Sequence, residues 1–196
     1  MWCALALVLM LDASGSVPPA AWQGLVDAHA DALADDRIAA TMSAGGLTAI
    51  TVIGYSDAPH VLVPWRIVDV PEDAARLARE VAAVQRPGNS STQTGRALRF
   101  AGRHLQAAPC TAERQVVDLV TDGPGDDAQR TAEARAELIA GDVRVNVLAV
   151  NTYGADATGW AREHVVTPGG FVVEATGWPD VARALRRKIA REIVSR

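Results

Sequence analysis

Apolar runs and amphipathic stretches alternate along the whole chain. Residues 4–11 form a continuous apolar run, which is the pattern of a central strand buried on both faces of a parallel sheet. Pro18 and Pro19 follow, and prolines suit the first turn of a helix. The next residues place their large side chains on one helical face and aspartates on the opposite face, so we predict a helix that packs on the sheet. That inner face consists of Trp22, Leu25, Val26, His29 and Leu33.

The same alternation predicts the other elements. Strand-like runs at 47–55 and 61–65 are separated by a short segment of turn-forming residues, so we expect a hairpin that adds an antiparallel edge to the sheet. The alternation of strands and helices predicts one α/β domain over residues 1–196, with a mostly parallel central sheet, one antiparallel edge strand and helices on both faces. Further strands are predicted at 115–120, 143–150 and 171–174, and further helices at 71–84, 93–107, 128–140 and 179–194.

Composition narrows the classes of function. The chain has 196 residues, of which 49% are apolar and 21% charged, as in ordinary globular domains. Its net charge of −4 gives no general attraction to phosphate backbones or anionic lipids, so we do not expect a nucleic-acid partner. No segment approaches the roughly 20 apolar residues that cross a bilayer, so we expect no membrane span in this chain.

The two cysteines leave two interpretations open. Cys3 and Cys110 fit either a disulfide or two buried thiols. They are too few and too far apart to suggest a zinc site. A bridge would indicate an oxidising compartment.

Three polar clusters lie where ligands bind in a doubly wound sheet, outside the carboxyl ends of the strands. They occupy residues 12–16, 90–95 and 121–123, and none contains a lysine or an arginine. A carboxylate at the end of an apolar strand is costly to bury without a partner. Two carboxylates together with neutral hydroxyls are the oxygen ligands of a hard divalent cation. We therefore predict one cation site formed by Asp12, Ser14, Ser16, Thr92 and Asp122.

Simpler structural roles compete with this interpretation. Capping of the following helix could be the whole role of the first cluster, but that role leaves Thr92 and Asp122 unexplained. Asp126 and Asp127 are interpreted as caps of the helix at 128–140, with a second ion or repulsion of an acidic partner as alternatives. The histidines lack the spacing of metal ligands, so we assign each of them to the core or the surface: His29, His60, His104 and His164.

The last helix carries a run of basic residues. We interpret this run as a solvated face rather than a docking patch: Arg183, Arg186, Arg187, Lys188 and Arg191.

The three clusters, in this order along the chain, resemble the complete metal-ion-dependent adhesion site (MIDAS) of the von Willebrand factor A (vWA) family. The resemblance covers nearly the whole sequence and implies a three-layer, Rossmann-like vWA fold. It implies Mg²⁺, with Mn²⁺ or Ca²⁺ as alternatives, and makes Ser14 and Ser16 direct ligands. Asp12, Thr92 and Asp122 would bind directly or through water. It also implies a protein partner whose acidic side chain completes the coordination.

The later part of the chain is similar to a bacterial branch of the vWA family with no assigned function. The similarity lies in Trp65, the run 169–173 and the helix segment 187–192. Members of that branch are commonly exported. The first apolar run has no basic residue before it and leads directly into the first cluster, so we interpret it as a strand and not as a leader. We expect an exported or periplasmic protein if a leader lies upstream of residue 1, and a cytoplasmic protein otherwise.

The expected function is metal-dependent binding of a protein. Two alternatives are a metal-assisted hydrolase that uses the same ion, and a domain in which the ion only stabilises the fold. The sequence has no GxSxG, HExxH or P-loop motif and no histidine or cysteine beside the clusters. We therefore do not expect this protein to be an enzyme, and we predict no catalytic residues and no residues that bind an organic cofactor.

Overall fold

A computed structural model describes residues 1–152 and 154–194. Its centre is a six-stranded sheet. The strands are β1 (Trp2–Asp12), β2 (Thr48–Tyr55), β3 (Pro59–Val68), β4 (Thr111–Thr121), β5 (Val143–Val150) and β6 (Val172–Ala175). The helices are α1 (Pro19–Ala34), α2 (Asp36–Ala44), α3 (Pro71–Ala82), α4 (Thr94–Gln106), α5 (Ala128–Ala140), α6 (Ala157–His164) and α7 (Val181–Val194), and a 3₁₀ turn (Trp178–Asp180) precedes α7.

The strand order is β3-β2-β1-β4-β5-β6. Four of the neighbouring pairs are parallel, and β2 and β3 are antiparallel. This confirms the mostly parallel sheet with one antiparallel edge strand formed by the hairpin. The architecture is a three-layer, Rossmann-like α/β fold, with helices on both faces of the sheet.

The position of β1 in the centre of the sheet explains its run of apolar residues. Its side chains alternate between the two faces of the sheet, so Leu5, Leu7, Leu9 and Leu11 join the core beneath α1, α2, α3 and α7. The residues between them join the second core, beneath α4, α5 and α6. Both faces of this central strand are covered by helices, which is why it carries almost no polar side chain.

The apolar pattern located the predicted elements but misplaced some ends. β4 begins at Thr111 rather than Gln115. The apolar pattern missed this start because Thr111, Glu113 and Arg114 are polar and are exposed or only partly buried. Two further helices were not predicted, α2 and α6. α2 is separated from α1 by Asp35, which adopts an extended backbone and caps α2 by accepting hydrogen bonds from the amides of Arg37 and Ile38.

Cys3 and Cys110 form a disulfide with an S–S distance of 2.02 Å. The bridge joins the start of β1 to the residue before β4, at the amino ends of the two central strands. The structure thereby decides between the two interpretations of the cysteines that the sequence left open.

The basic run of α7 is not a uniformly solvated face. Four of its arginines are exposed, as predicted, but Lys188 is completely buried. Its ammonium forms ion pairs with Asp118 on β4 and, at 2.8 Å, with Glu192 one turn later. The prediction was wrong for Lys188, because helical position alone does not show which charged side chain finds a buried partner.

Within residues 1–152 and 154–194, no helix combines the length and apolarity needed to span a membrane.

Candidate metal centre

The candidate site lies at the carboxyl ends of the two central strands. Asp12 is the last residue of β1, and Asp122 directly follows β4. β1 connects towards β2 on one side of the sheet and β4 connects towards β5 on the other. The strand order therefore reverses between these two strands, at the kind of position where doubly wound sheets bind ligands.

A chain of hydrogen bonds joins four of the predicted site residues. Asp12 Oδ1 accepts a hydrogen bond from the backbone amide of Ser14 at 2.8 Å. The hydroxyls of Ser14 and Ser16 lie 3.1 Å apart. The Ser16 hydroxyl then donates to Asp122 Oδ1 at 2.8 Å. The structure thus brings together side chains that are more than 100 residues apart, since Ser16 and Asp122 are separated by 106 positions.

Thr92 belongs to the segment that precedes α4, and its backbone fixes its place. Its amide donates to Asp126 Oδ2 at 2.7 Å, and its carbonyl accepts from the Asp126 amide at 2.8 Å. Two residues earlier, the Ser90 carbonyl accepts a hydrogen bond from the Gly15 amide at 2.7 Å. The Thr92 segment therefore lies against the first cluster, although among the described residues no hydrogen bond joins the Thr92 hydroxyl to the other four side chains.

Both carboxylates are buried with one oxygen unsatisfied. Asp12 is fully buried and Asp122 is 5% exposed. The Oδ2 atoms of both have no hydrogen-bond partner within the described chain. Burial, and then repulsion from Asp122, raise the pKa of Asp12 to about 7, against the opposing effect of hydrogen bonds from Ser14. Burial also raises the pKa of Asp122. Two such carboxylates side by side disfavour their own charged forms unless a cation joins them.

Tyr55 is a buried neighbour of the Asp12 carboxylate. It is fully buried at the end of β2, and its hydroxyl donates to the Val120 carbonyl at 2.8 Å. Burial and the neighbouring Asp12 carboxylate raise the pKa of this phenol well above its ordinary value. The phenol therefore stays neutral and adds no further negative charge beside the carboxylates.

The donor set fits a hard divalent cation. Two unsatisfied carboxylate oxygens lie beside serine hydroxyls, and Ser16 is exposed at the surface. Residues 1–152 and 154–194 contain no group of three or more His, Cys, Asp and Glu side chains suited to a metal. A metal here would therefore depend on hydroxyl ligands, which are ligands of Mg²⁺ and similar ions rather than of soft metals.

Asp126 and Asp127 do not have the predicted role. Asp127 lies at the N-cap position of α5, but its side chain makes no capping hydrogen bond there. Its carboxylate accepts from the amides of Gly95 and Arg96 in the first turn of α4, both at 3.1 Å, and from the Thr131 hydroxyl on α5 at 3.2 Å. Together with the Asp126–Thr92 pair, it fastens the Thr92 segment to the loop of Asp122. Local spacing could not reveal this, because capping the next helix and capping a distant one have the same sequence signature.

Arg86 is a contact of the site that the sequence analysis missed. Its guanidinium donates to the Ala13 carbonyl from Nε and Nη2, at 3.2 and 3.0 Å, and Nη2 also donates to the Ser14 carbonyl. An arginine in an irregular segment carries no local signal for such a contact.

Known proteins agree with the fold. A family model described as "Protein of unknown function (DUF1194)" matches residues 2–196. Among solved structures, the chain is similar to a von Willebrand factor type A protein from Catenulispora acidiphila, with a TM-score of 0.73, 18% identity, and coverage of 97% of this chain and 43% of that one. The vWF domain of the type V pili tip protein Mfa5 from Porphyromonas gingivalis gives a TM-score of 0.69 and 10% identity, covering 97% and 95% of the two chains.

A third structure includes a metal. Proximal thread matrix protein 1 from the mussel byssus, with a zinc-occupied MIDAS motif, gives a TM-score of 0.69 and 14% identity, covering 97% of this chain and 46% of that one. This chain spans less than half the length of the first solved structures it matches. At these identities the similarity establishes the fold.

Proposed function

The chain belongs to the DUF1194 family of proteins of unknown function, and we propose that it is a metal-dependent protein-binding module. The observation that carries the proposal is the pair of buried carboxylates, Asp12 and Asp122, each with an unsatisfied oxygen beside serine hydroxyls. A single divalent cation would satisfy both carboxylates at once. Mg²⁺ is the expected ion, with Mn²⁺ and Ca²⁺ as alternatives.

In this proposal five residues hold the ion. Ser14 and Ser16 bind it directly, and Asp12, Thr92 and Asp122 bind it directly or through water. Ser16 is exposed, so the site opens to solvent at this side. An acidic side chain of a partner protein would complete the coordination there. The zinc-occupied MIDAS of the mussel protein and the pilus-tip domain of Mfa5 have the same fold and support an adhesion-type role.

We propose binding rather than catalysis. In the proposed metal-bound site both carboxylates are engaged by the ion, and the remaining side chains are hydroxyls, which are poor general bases. The buried histidine, His29, lies beside Asp118 and Lys188 instead.

We also propose that the protein works in an oxidising compartment, as an exported or periplasmic protein. The Cys3–Cys110 disulfide supports this location, because disulfides persist where thiols are not kept reduced.

Metal binding can be tested by isothermal titration with Mg²⁺, Mn²⁺ and Ca²⁺ after EDTA treatment, together with thermal unfolding. We expect the wild type to bind one ion and to gain stability, by about 2.7 kcal/mol at a metal concentration of 100 times the Kd. Asp12→Asn should lose binding. In EDTA it should be at least as stable as the wild type, because it removes one of two buried charges and retains an oxygen for the Ser14 amide. Asp31→Asn, an exposed aspartate on α1, is the matched control.

The partner is tested by affinity capture in Mg²⁺ and in EDTA. A protein retained by the wild type in Mg²⁺, and lost both in EDTA and with Asp12→Asn, supports the binding role. A wild type that binds none of Mg²⁺, Mn²⁺ and Ca²⁺ would refute the proposal. A large stabilisation by metal without a metal-dependent partner would instead indicate an ion that only supports the fold.

A further inference from the structure

Arg86 connects two of the three segments that form the candidate cation site. It lies between α3 and α4, in the same segment as Thr92, and its guanidinium donates to two consecutive carbonyls, those of Ala13 and Ser14. These carbonyls belong to the loop that carries the two serine hydroxyls. Arginine suits this role because its planar guanidinium presents several N–H groups in a fixed fork.

The two segments are also in close backbone contact. The Gly15 amide donates to the Ser90 carbonyl at 2.7 Å. A Cβ at Gly15 would lie 2.8 Å from the Asn89 carbonyl oxygen, closer than side-chain carbons approach. Arg86 and Ser90 thus bind successive parts of the same short loop, and the position of that loop sets where the Ser14 and Ser16 hydroxyls point.

Arg86 binds the loop that follows Asp12 but forms no ion pair with either carboxylate of the site. Its three hydrogen bonds all end on backbone carbonyl oxygens. Within the described residues, neither Asp12 nor Asp122 forms an ion pair with a lysine or arginine, and the Oδ2 atoms of both stay unsatisfied. The guanidinium therefore shapes the loop and leaves the carboxylates available to a cation.

We propose that Arg86 is a positioning residue of the cation site, holding the Ser14–Ser16 loop against the Thr92 segment so that their oxygens surround one ion. This inference rests on the proposed function. Residues that orient metal ligands typically contribute 10- to 100-fold to metal affinity. We expect losses of about this size from Arg86→Ala and Arg86→Lys.

The direction of the change in cation affinity distinguishes a positioning role of Arg86 from a purely electrostatic one. Removal of a positive charge next to a cation site would, by itself, tighten cation binding. Positioning predicts weaker binding for Arg86→Ala. It also predicts weaker binding for Arg86→Lys, which keeps the charge but lacks the fork that reaches two carbonyls.

The experiment measures the Kd for Mn²⁺ by titration calorimetry at 25 °C, with electron paramagnetic resonance of bound Mn²⁺ as a report on ligand geometry. The proteins are the wild type, Arg86→Ala, Arg86→Lys and the control Arg76→Ala, an exposed arginine on α3. Thermal unfolding in EDTA is measured in parallel. A Kd raised 10- to 100-fold in both Arg86 variants, with an altered Mn²⁺ spectrum and an unchanged control, supports the proposal.

Two results would overturn it. If the wild type binds Mn²⁺ and folded Arg86→Lys binds it within twofold of the wild type, Arg86 has only a structural role, whatever its effect on unfolding in EDTA. If the wild type binds no Mn²⁺, this inference fails; if it binds none of Mg²⁺, Mn²⁺ and Ca²⁺, the proposed function fails as well. Arg86→Lys keeps the test decisive if Arg86→Ala does not fold.

Discussion

The charge state of His29 follows from its burial. The side chain is fully buried on α1, and Nδ1 lies 2.8 Å from the Leu25 carbonyl, which can only accept, so Nδ1 carries the hydrogen. Nε2 has no hydrogen-bond partner within the described chain. Burial lowers the pKa of His29, with Asp118 opposing and Lys188 reinforcing the effect. Glu192, the remaining member of this buried cluster, pairs with Lys188. The imidazole is therefore held neutral in the folded protein.

This lowered pKa makes stability depend on pH. Below the ordinary histidine pKa of 6.5 the unfolded chain binds a proton at His29 that the folded chain does not. The stabilising contribution is therefore complete above pH 6.5 and declines as the pH falls through that value. We expect His29→Leu to show a smaller loss of unfolding free energy between pH 7.5 and pH 5.0 than the wild type, measured by urea unfolding. Exposed His60→Leu is the control; equal losses in all three proteins would contradict the assignment.

At the scale of single residues, sequence could predict those parts of the site that lie in continuous motifs. Asp12 ends one strand and Ser14 and Ser16 follow it, and the cost of burying a carboxylate there requires a compensating partner. The roles of Asp126 and Arg86 could not be predicted, because both bind backbone groups of segments that only the fold brings near. A backbone carbonyl or amide offers no side-chain identity by which sequence could recognise it.

Among the elements, α7 is attached to the sheet by a buried ionic cluster. Lys188 lies between Asp118 and Glu192, and all three side chains are almost completely buried. Burial opposes the charge of Asp118, but the Lys188 ammonium holds the pKa of that carboxyl below its ordinary value. Burial and the Asp118 carboxylate raise the pKa of Glu192 well above its usual range. Of the two carboxyls beside Lys188, Asp118 is therefore the one that keeps its negative charge more readily.

Lys188→Met should be among the most destabilising substitutions in α7. It leaves the buried Asp118 charge without a partner, which costs about 3–5 kcal/mol of unfolding free energy. The triple variant Asp118→Leu, Lys188→Met, Glu192→Leu should recover most of that loss, because it removes the charges together. Urea unfolding measures both effects. Arg187→Met, exposed on the same helix, should change stability by no more than about 0.5 kcal/mol; a Lys188→Met variant as stable as this control would contradict the ion-pair interpretation.

Elements with a strong apolar period were predictable, and elements that depend on tertiary contacts were less so. β1 and α3 stand out by the spacing of their apolar residues. α6 is only eight residues long and buries mainly small side chains, Ala157, Thr158 and Ala161, so its period is weak. Lys188 shows the same limit on α7, since its partner Asp118 lies 70 positions earlier in the chain.

In the whole molecule, the disulfide and the candidate cation site lie at opposite ends of β1. Cys3 is near the start of the strand and Asp12 is its last residue. At about 3.3 Å per residue they are roughly 30 Å apart. The alternation of strands and helices in the sequence predicted the layered architecture that separates the disulfide from the candidate site, because consecutive strands and helices can pack in few other ways. Whether the cysteines are joined required coordinates.

This separation predicts that stability and metal affinity respond differently to loss of the disulfide. The bridge closes a loop between positions 107 residues apart, and removal of a native disulfide typically costs 2–5 kcal/mol of unfolding free energy, with long loops towards the upper end. We expect the double variant Cys3→Ala, Cys110→Ala to lose about 3–5 kcal/mol in urea unfolding, while its Kd for Mn²⁺ at 25 °C stays within twofold of the wild type. The control is the wild type under the same oxidising conditions. A weakened Kd in a variant that remains folded would mean that strain passes along β1 from one end of the sheet to the other, and the two ends would then have to be treated as one coupled unit.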